Sequence, residues 1–206
     1  MTAPRPAHFE TADVRIDKII VGPFENNSYV VRCKTTGNAV LIDAANEHDF
    51  LIPLALRLGV RRVLTTHGHW DHIQAVTAAR DAGIDVGIAN GDADMLPNYD
   101  FVIEDEDVHQ VGNLRLRTIH NPGHTPGSIS FELVNHPLLF TGDTLFPGGA
   151  GNTSSHKQAS FTQIIDSIDR RLFTLPAATL VLPGHGLDTT IGTERPHIQQ
   201  WVDRGW

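Results

Sequence analysis

Apolar residues in this chain fall in short runs, rich in Val, Ile, Leu, Phe and Thr and bounded by Gly, Asn, Asp or Pro. Such runs predict strands at 14–21, 28–33, 39–42, 62–66 and 85–89, and a second group at 114–119, 128–133, 138–141 and 179–182. Between them the apolar spacing turns helical. The stretch 47–58 places Phe50, Leu51, Leu54 and Leu58 on one face and stops at Gly59. Asp71 is a candidate N-cap for a helix over 71–82, with Gly83 as its stop. Phe161, Ile164, Ile165, Ile168 and Leu172 mark a third helix over 161–172, and a short helix closes the chain. Strands cluster in two groups, each followed by helix. Two facing sheets with helices outside, an α+β arrangement, would bury these faces. A single doubly wound sheet fits less well, because 107–141 reads as consecutive antiparallel strands.

At 206 residues the chain has the length of one domain, 1–206, with a core that needs no staples. Cys33 stands alone, so no internal disulfide forms and nothing argues for an oxidising compartment. The start lacks the apolar stretch of a signal peptide, and no run approaches the ~20 apolar residues of a membrane helix. The expected setting is cytoplasmic, without membrane partners, and the triplets Asn26-Asn27-Ser28 and Asn152-Thr153-Ser154 are chance matches to a glycosylation signal. Sixteen Lys+Arg against 24 Asp+Glu leave a net charge of −8. Nucleic acid is therefore a poor partner, since its binding rests on clustered cations. The acidic run Glu104-Asp105-Glu106-Asp107 has no ligand spacing and reads as a solvated turn.

Twelve histidines are the anomaly of the composition. Four donors crowd into His67-Gly68-His69-Trp70-Asp71-His72, directly after the apolar run 62–66. Protonated, these imidazoles would repel one another; neutral, each would need its own partner. Metal ions resolve both problems, and His with carboxylate suits zinc, iron or manganese. Further donors follow strand-like runs: His124 in Asn121-Pro122-Gly123-His124-Thr125-Pro126-Gly127, Asp143 after Gly142, and His185 between Gly184 and Gly186. His8, His48, His109, His136 and His197 show no ligand spacing. His120 is a candidate support for His124, and His156 or Lys157 a candidate substrate contact in the loop 146–158.

With these motifs the sequence resembles the metallo-β-lactamase superfamily over about residues 28–192. Gly142-Asp143-Thr144-Leu145-Phe146, Pro183-Gly184-His185-Gly186 and Gly192-Thr193-Glu194-Arg195 make it similar to the single-domain, glyoxalase II-like hydrolases. The resemblance implies an αββα sandwich with the site at one edge. It implies two divalent metal ions, zinc foremost: His67, His69 and His124 on one, Asp71, His72 and His185 on the other, Asp143 bridging. It further implies hydrolysis of a small-molecule thioester of a low-molecular-weight thiol, by a metal-bridging hydroxide attacking the acyl carbonyl. Asp143 and Asp71 are the candidate catalytic carboxylates, Asp71 as a possible proton donor. A thiolate, from a thiol of pKa near 8.5, leaves largely unaided, which suits a donor set without an extra acid.

Other readings remain open at this point. A persulfide dioxygenase would use one iron on His67, His124 and Asp143. That branch has Asp after the last histidine, where this chain has Gly186, and Cys and Arg in the loop where it has Ala150 and Asn152. A lactonase or phosphodiesterase could run on the same centre. A non-catalytic metal-binding module would be expected to have lost ligands, and none is missing. Oligomeric state is not legible in the sequence; the tail 201–206 is expected to dock on its own subunit.

Overall fold

The computed structural model describes residues 7–154 and 157–205. Strands β1 (Phe9–Glu10), β2 (Val14–Val21), β3 (Asn26–Cys33), β4 (Ala39–Ile42), β5 (Val60–Leu64), β6 (Asp85–Ala89) and β7 (Phe101–Ile103) form one sheet in sequence order. β1 to β4 pair antiparallel and β4 to β7 parallel. The crossover from β4 to β5 is α1 (His48–Arg57); that from β5 to β6 carries α2 (Trp70–Ile73) and α3 (Val76–Asp81). In the second sheet β8 (Val108–Val111), β9 (Leu114–His120), β10 (Ile129–Leu133) and β11 (Leu138–Gly142) make the expected antiparallel meander. A small hairpin, β12 (Leu145–Phe146) with β13 (Gly149–Ala150), and α4 (Phe161–Ser167) lead to β14 (Leu180–Pro183), parallel to β11. β15 (Thr189–Thr190) ends that sheet, and α5 (Ile191–Glu194) and α6 (Ile198–Arg204) follow.

Three buried apolar layers separate these four. Helices α1 and α3 meet the first sheet through Leu51, Ala55, Val63, Val76, Ala79 and Val86. The sheets face each other through Ile16, Val31, Leu64, Leu116, Phe131 and Phe140. α4 and α6 cover the second sheet through Leu139, Ile164, Ile168, Val181 and Trp201. The αββα order is the one the strand and helix pattern predicts. The tail docks as expected at Trp201, which is buried against Phe173; Trp206 lies outside the described residues.

The departures are local and have local causes. On α1 the buried face is Leu51, Ile52 and Ala55, where small Ala55 permits close approach, while Phe50 is exposed. The expected helix over 71–82 is interrupted because Gln74 N and Ala75 N donate to Ala45 O and Ala44 O. His69, not Asp71, is the N-cap residue of α2. The third helix widens after Ser167 into a π turn, Ile168–Leu172, closed by Phe173 N donating to Ile168 O. The acidic run forms an exposed turn, with Asp105 and Glu106 paired to Arg171 and Arg117.

Candidate metal centre

β4, β5, β9, β11 and β14 all end at one edge of the sandwich, and each is followed by a polar side chain of the site. β5 delivers His67 and His69, then α2 turns Asp71 and His72 inward. The loop after β9 carries His124, Gly142 at the end of β11 precedes Asp143, and β14 is followed by Gly184 and His185. The structure brings all seven donors together in three overlapping groups, His67–His69–His124, His67–His72–Asp143 and Asp71–His72–His185, with ligand atoms within 4.8 Å of one another in each. Asp143 sits between the outer groups: its carboxylate lies 3.4 Å from His72 Nε2, 3.6 Å from His185 Nε2 and 3.7 Å from His124 Nε2. These are longer than hydrogen bonds. Gly184 is obligatory here, since a Cβ would collide with Asp143 Oδ1 and fall 2.7 Å from His72 Cε1.

Hydrogen bonds behind the cluster fix which ring nitrogen faces in. Thr66 Oγ1 donates its single hydrogen to Asp43 Oδ2 (2.8 Å), so it can only accept from His67 Nδ1 (3.0 Å). His72 Nδ1 donates to Asp43 Oδ2 at 2.9 Å, His124 Nδ1 to Asn152 O at 2.8 Å and His185 Nδ1 to Phe24 O at 2.9 Å. Each Nε2 is thereby left with its lone pair toward the centre, the usual arrangement of metal-binding histidines. Two buried atoms, His67 Nε2 and Asp143 Oδ1, have no hydrogen-bond partner among the described residues. Leaving such atoms dry and unpaired is costly. Cations between these donors would satisfy them, so the residues fit the metals that the motif implies.

The electrostatics agree. Burial and the neighbouring imidazoles push His67 well below the ordinary histidine value, holding it neutral. At His72 burial opposes charge, but Asp143 and Asp43 outweigh it and the proton affinity rises. Burial likewise opposes ionisation of Asp143 and Asp71, yet the histidines around them hold both carboxyls below the usual carboxylate range. Half-buried carboxylates kept ionised among imidazoles make a site selective for cations.

The profile of the metallo-beta-lactamase superfamily matches residues 21–185. The chain belongs to the metallo-beta-lactamase superfamily. It is 37% identical over 165 residues to a hydroxyacylglutathione hydrolase of Rhodospirillum rubrum, covering 78% of this chain but 62% of that relative's length. It is 31% identical to the hydroxyacylglutathione hydrolase GloC of Haemophilus influenzae, over 88% of this chain and 95% of that one. The mitochondrial persulfide dioxygenase ETHE1 of Bos taurus is 32% identical, over 77% and 63% of the two chains. Among solved structures, the B3 metallo-beta-lactamase BLEG-1 superposes with a TM-score of 0.81 at 30% identity, covering 88% of this chain and 97% of its own.

Within this superfamily fold, sequence reasoning missed several supporting residues. Asp43 is buried and accepts from Thr66 N, Thr66 Oγ1 and His72 Nδ1. Asp92, also buried, accepts from Gly68 N (2.8 Å), Thr125 Oγ1 (2.6 Å) and Gly127 N (2.7 Å), tying the His67–His69 turn to the His124 loop. The triplet at Asn26 is buried and its side chains are engaged: Asn26 Nδ2 donates to Asp71 Oδ2, and Asn27 Nδ2 to Pro183 O and Gly186 O. Asp43 offered one signal, a carboxylate directly after an apolar strand, as at Asp143. His120 reaches the His124 loop only through Pro126 O. His8, His109 and His136 bond Asp188, Thr118 and Asp13, His48 pairs with Asp49, and His197 is exposed. Lys157 borders a cleft with His69 and His124; His156 lies outside the described residues.

Proposed function

We propose that this chain hydrolyses thioesters of a low-molecular-weight thiol with two divalent metal ions, zinc foremost, held by His67, His69 and His124, by Asp71, His72 and His185, and by Asp143 between them. The observation that carries this reading is the convergence of seven donors, with the Nε2 atoms of His67, His72, His124 and His185 turned inward by hydrogen bonds at Nδ1. Hydroxyacylglutathione hydrolases among the relatives support the acyl-thiol class. When bound, such ions supply an acidified water and polarise an acyl carbonyl.

The chain's own part is positioning. His67 and His72 are buried and form the floor, while His69, Asp71 and His185 are partly exposed, so substrate enters from their side. Asn26 holds Asp71 through Oδ2, placing that carboxylate beside His185 Nε2 at 3.3 Å at the entrance; held ionised there, it is not the proton donor the sequence suggests. A departing thiolate needs no proton, so no dedicated acid is required. The expected compartment is the cytoplasm; no helix among the described residues is long and apolar enough to cross a membrane.

Reconstituted protein should contain two metal ions per chain by elemental analysis; a plateau at one would contradict the double assignment. A hydrolysis screen over thioesters, lactones and phosphodiesters tests the substrate class, with thioesters expected to turn over fastest. S-lactoylglutathione should be a substrate with a high KM. In two-domain glyoxalase II enzymes, Lys and Tyr stand where this chain has Asn152 and Ser154. Asn152 Oδ1 instead accepts from Ser154 N and Oγ, which spends both side chains on the loop itself. A missing charge-assisted contact weakens binding on the order of ten- to a hundredfold and moves KM rather than kcat. A micromolar KM, with no better substrate in the panel, would show that the carrier site has been misread.

The persulfide dioxygenase relative favours a second reading, one iron on His67, His124 and Asp143. It would leave the Asp71–His72–His185 group without a cation. Gly186 also stands where that branch has Asp. Oxygen uptake with a glutathione persulfide, absent if the hydrolase reading holds, separates the two.

A further inference from the structure

At the end of β5 away from His67, the two sheets enclose a second cleft, of about 220 Å³. Val40, Arg61, Arg62 and Asp85 line it from the first sheet and His109 from the second. The pairing of β4 with β5 slips here. Ala39 opposes Val60 and Leu41 opposes Val63, so Arg61 and Arg62 both stand opposite Val40. Such a bulge breaks the alternation of a strand, and both arginines reach the face that Val40 turns toward the second sheet. Neither is ion-paired among the described residues, although Asp85 is the register partner of Arg62. Arg62 instead lies over the Phe101 ring, 4.8 Å from its centroid, and Arg61 Nη1 donates to Val60 O. His109 is 8% exposed, and burial lowers its proton affinity and keeps it neutral. Its Nε2 lies 3.1 Å from Thr118 Oγ1, while its Nδ1 has no hydrogen-bond partner among the described residues.

Two guanidiniums on one face, unpaired in a protein of net charge −8, make a site for an anion taken from solvent. Thr118 Oγ1 can donate to His109 Nε2, which leaves the hydrogen of the neutral ring on Nδ1 as a further donor. Guanidinium forks match the oxygens of a phosphoryl group. Asp85 narrows the ligand further: a carboxylate repels a bare dianion but accepts from a hydroxyl. The volume lies below the ordinary range of ligand pockets and is too small for a nucleotide. We infer that Arg61, Arg62 and His109 bind the phosphoryl group of a small hydroxylated phosphomonoester, with Asp85 accepting from its hydroxyl. None of these residues belongs to the seven donors, so the site stands apart from the hydrolase reading. Its donors come from both sheets, and a bound phosphoryl group spans the seam at the end opposite the metal ligands.

Glycerol 3-phosphate would be titrated into zinc-loaded protein, with the imidazole signals of His109 and His124 followed by NMR. We expect a saturable shift of His109. Arg61→Gln and Arg62→Gln should each weaken it about tenfold, leaving any response of His124, in the metal centre, unchanged. Arg170→Gln, at the exposed pair with Asp166, should alter nothing. Asp85→Ala should weaken glycerol 3-phosphate and tighten inorganic phosphate, because it removes the hydroxyl acceptor and the repulsion together. All four positions are exposed, so the variants leave the core intact. No saturation of His109 at millimolar ligand, an equal loss in Arg170→Gln, or acetate binding as tightly as glycerol 3-phosphate overturns the phosphoryl site. Tighter binding of both phosphates in Asp85→Ala overturns the hydroxyl contact and the ligand class with it.

Discussion

Asp143→Ala is expected to abolish nearly all hydrolysis and to lose both metal ions, a larger effect than that of any other single ligand. Its carboxylate approaches His72, His124 and His185 at once, so it borders the ligands of both outer groups. Removing it leaves His72 and its neighbours buried with no central anion to offset the cations. His72→Ala strips one donor from the Asp71–His72–His185 group and leaves His67, His69 and His124 together, enough to hold one ion. The contrast is the test. Metal content per chain and kcat/KM would be measured for both variants, with Asp143→Asn included to keep the volume. Equal residual rates and equal metal content in Asp143→Ala and His72→Ala would refute the bridging assignment.

Asp43→Ala should be the most damaging substitution outside the ligand set. Asp43 is buried, accepts three hydrogen bonds and sits at φ of +58°, a left-handed conformation that Asp and Asn tolerate better than Ala. Its loss strands Thr66 N and the buried His72 ring, a cost of about 3–5 kcal/mol by comparison with other broken buried ionic contacts. Without Asp43 the Nδ1 proton of His72 is no longer fixed, and metal affinity should fall about ten- to a hundredfold. Asp43→Asn keeps the shape and backbone but places an NH2 group against donors, so it should retain more stability than affinity. Denaturant melts of the metal-free protein and metal titrations measure the two separately. An Asp43→Ala protein within about 1 kcal/mol of wild type, with unchanged affinity, would contradict this role.

The layers and the clustering of the seven donors were legible because both rest on local regularities. Apolar periodicity locates β2, β4 and β6, and His67 to His72 lie within one turn of chain. What escaped depends on contacts between segments distant in sequence. The expected strand over 62–66 stops at Leu64, because Thr66 N is captured by Asp43 rather than by the neighbouring strand. The helix after His69 breaks because Ala44 O and Ala45 O compete for the amides of Ala75 and Gln74. Asp92 looks like any loop carboxylate until folding brings Gly68 and Gly127 to it. Asn26 and Asn27 stood out only as a chance match to a glycosylation signal, since nothing in their own segment shows the β14 loop they clasp.

The donors are divided between the two sheets. The first sheet supplies His67, His69, Asp71 and His72; the second supplies His124, Asp143 and His185. Neither outer group is complete on one side, so an ion held by either would act as a rivet through the seam, and closing the seam and loading the ions would form one thermodynamic cycle. Free metal at a hundred times its dissociation constant adds about 2.7 kcal/mol per site to the folded state. The converse also holds: a substitution that lets the sheets slide, however far from His67, reads out as weaker metal retention, and metal starvation reads out as a protein that opens more readily.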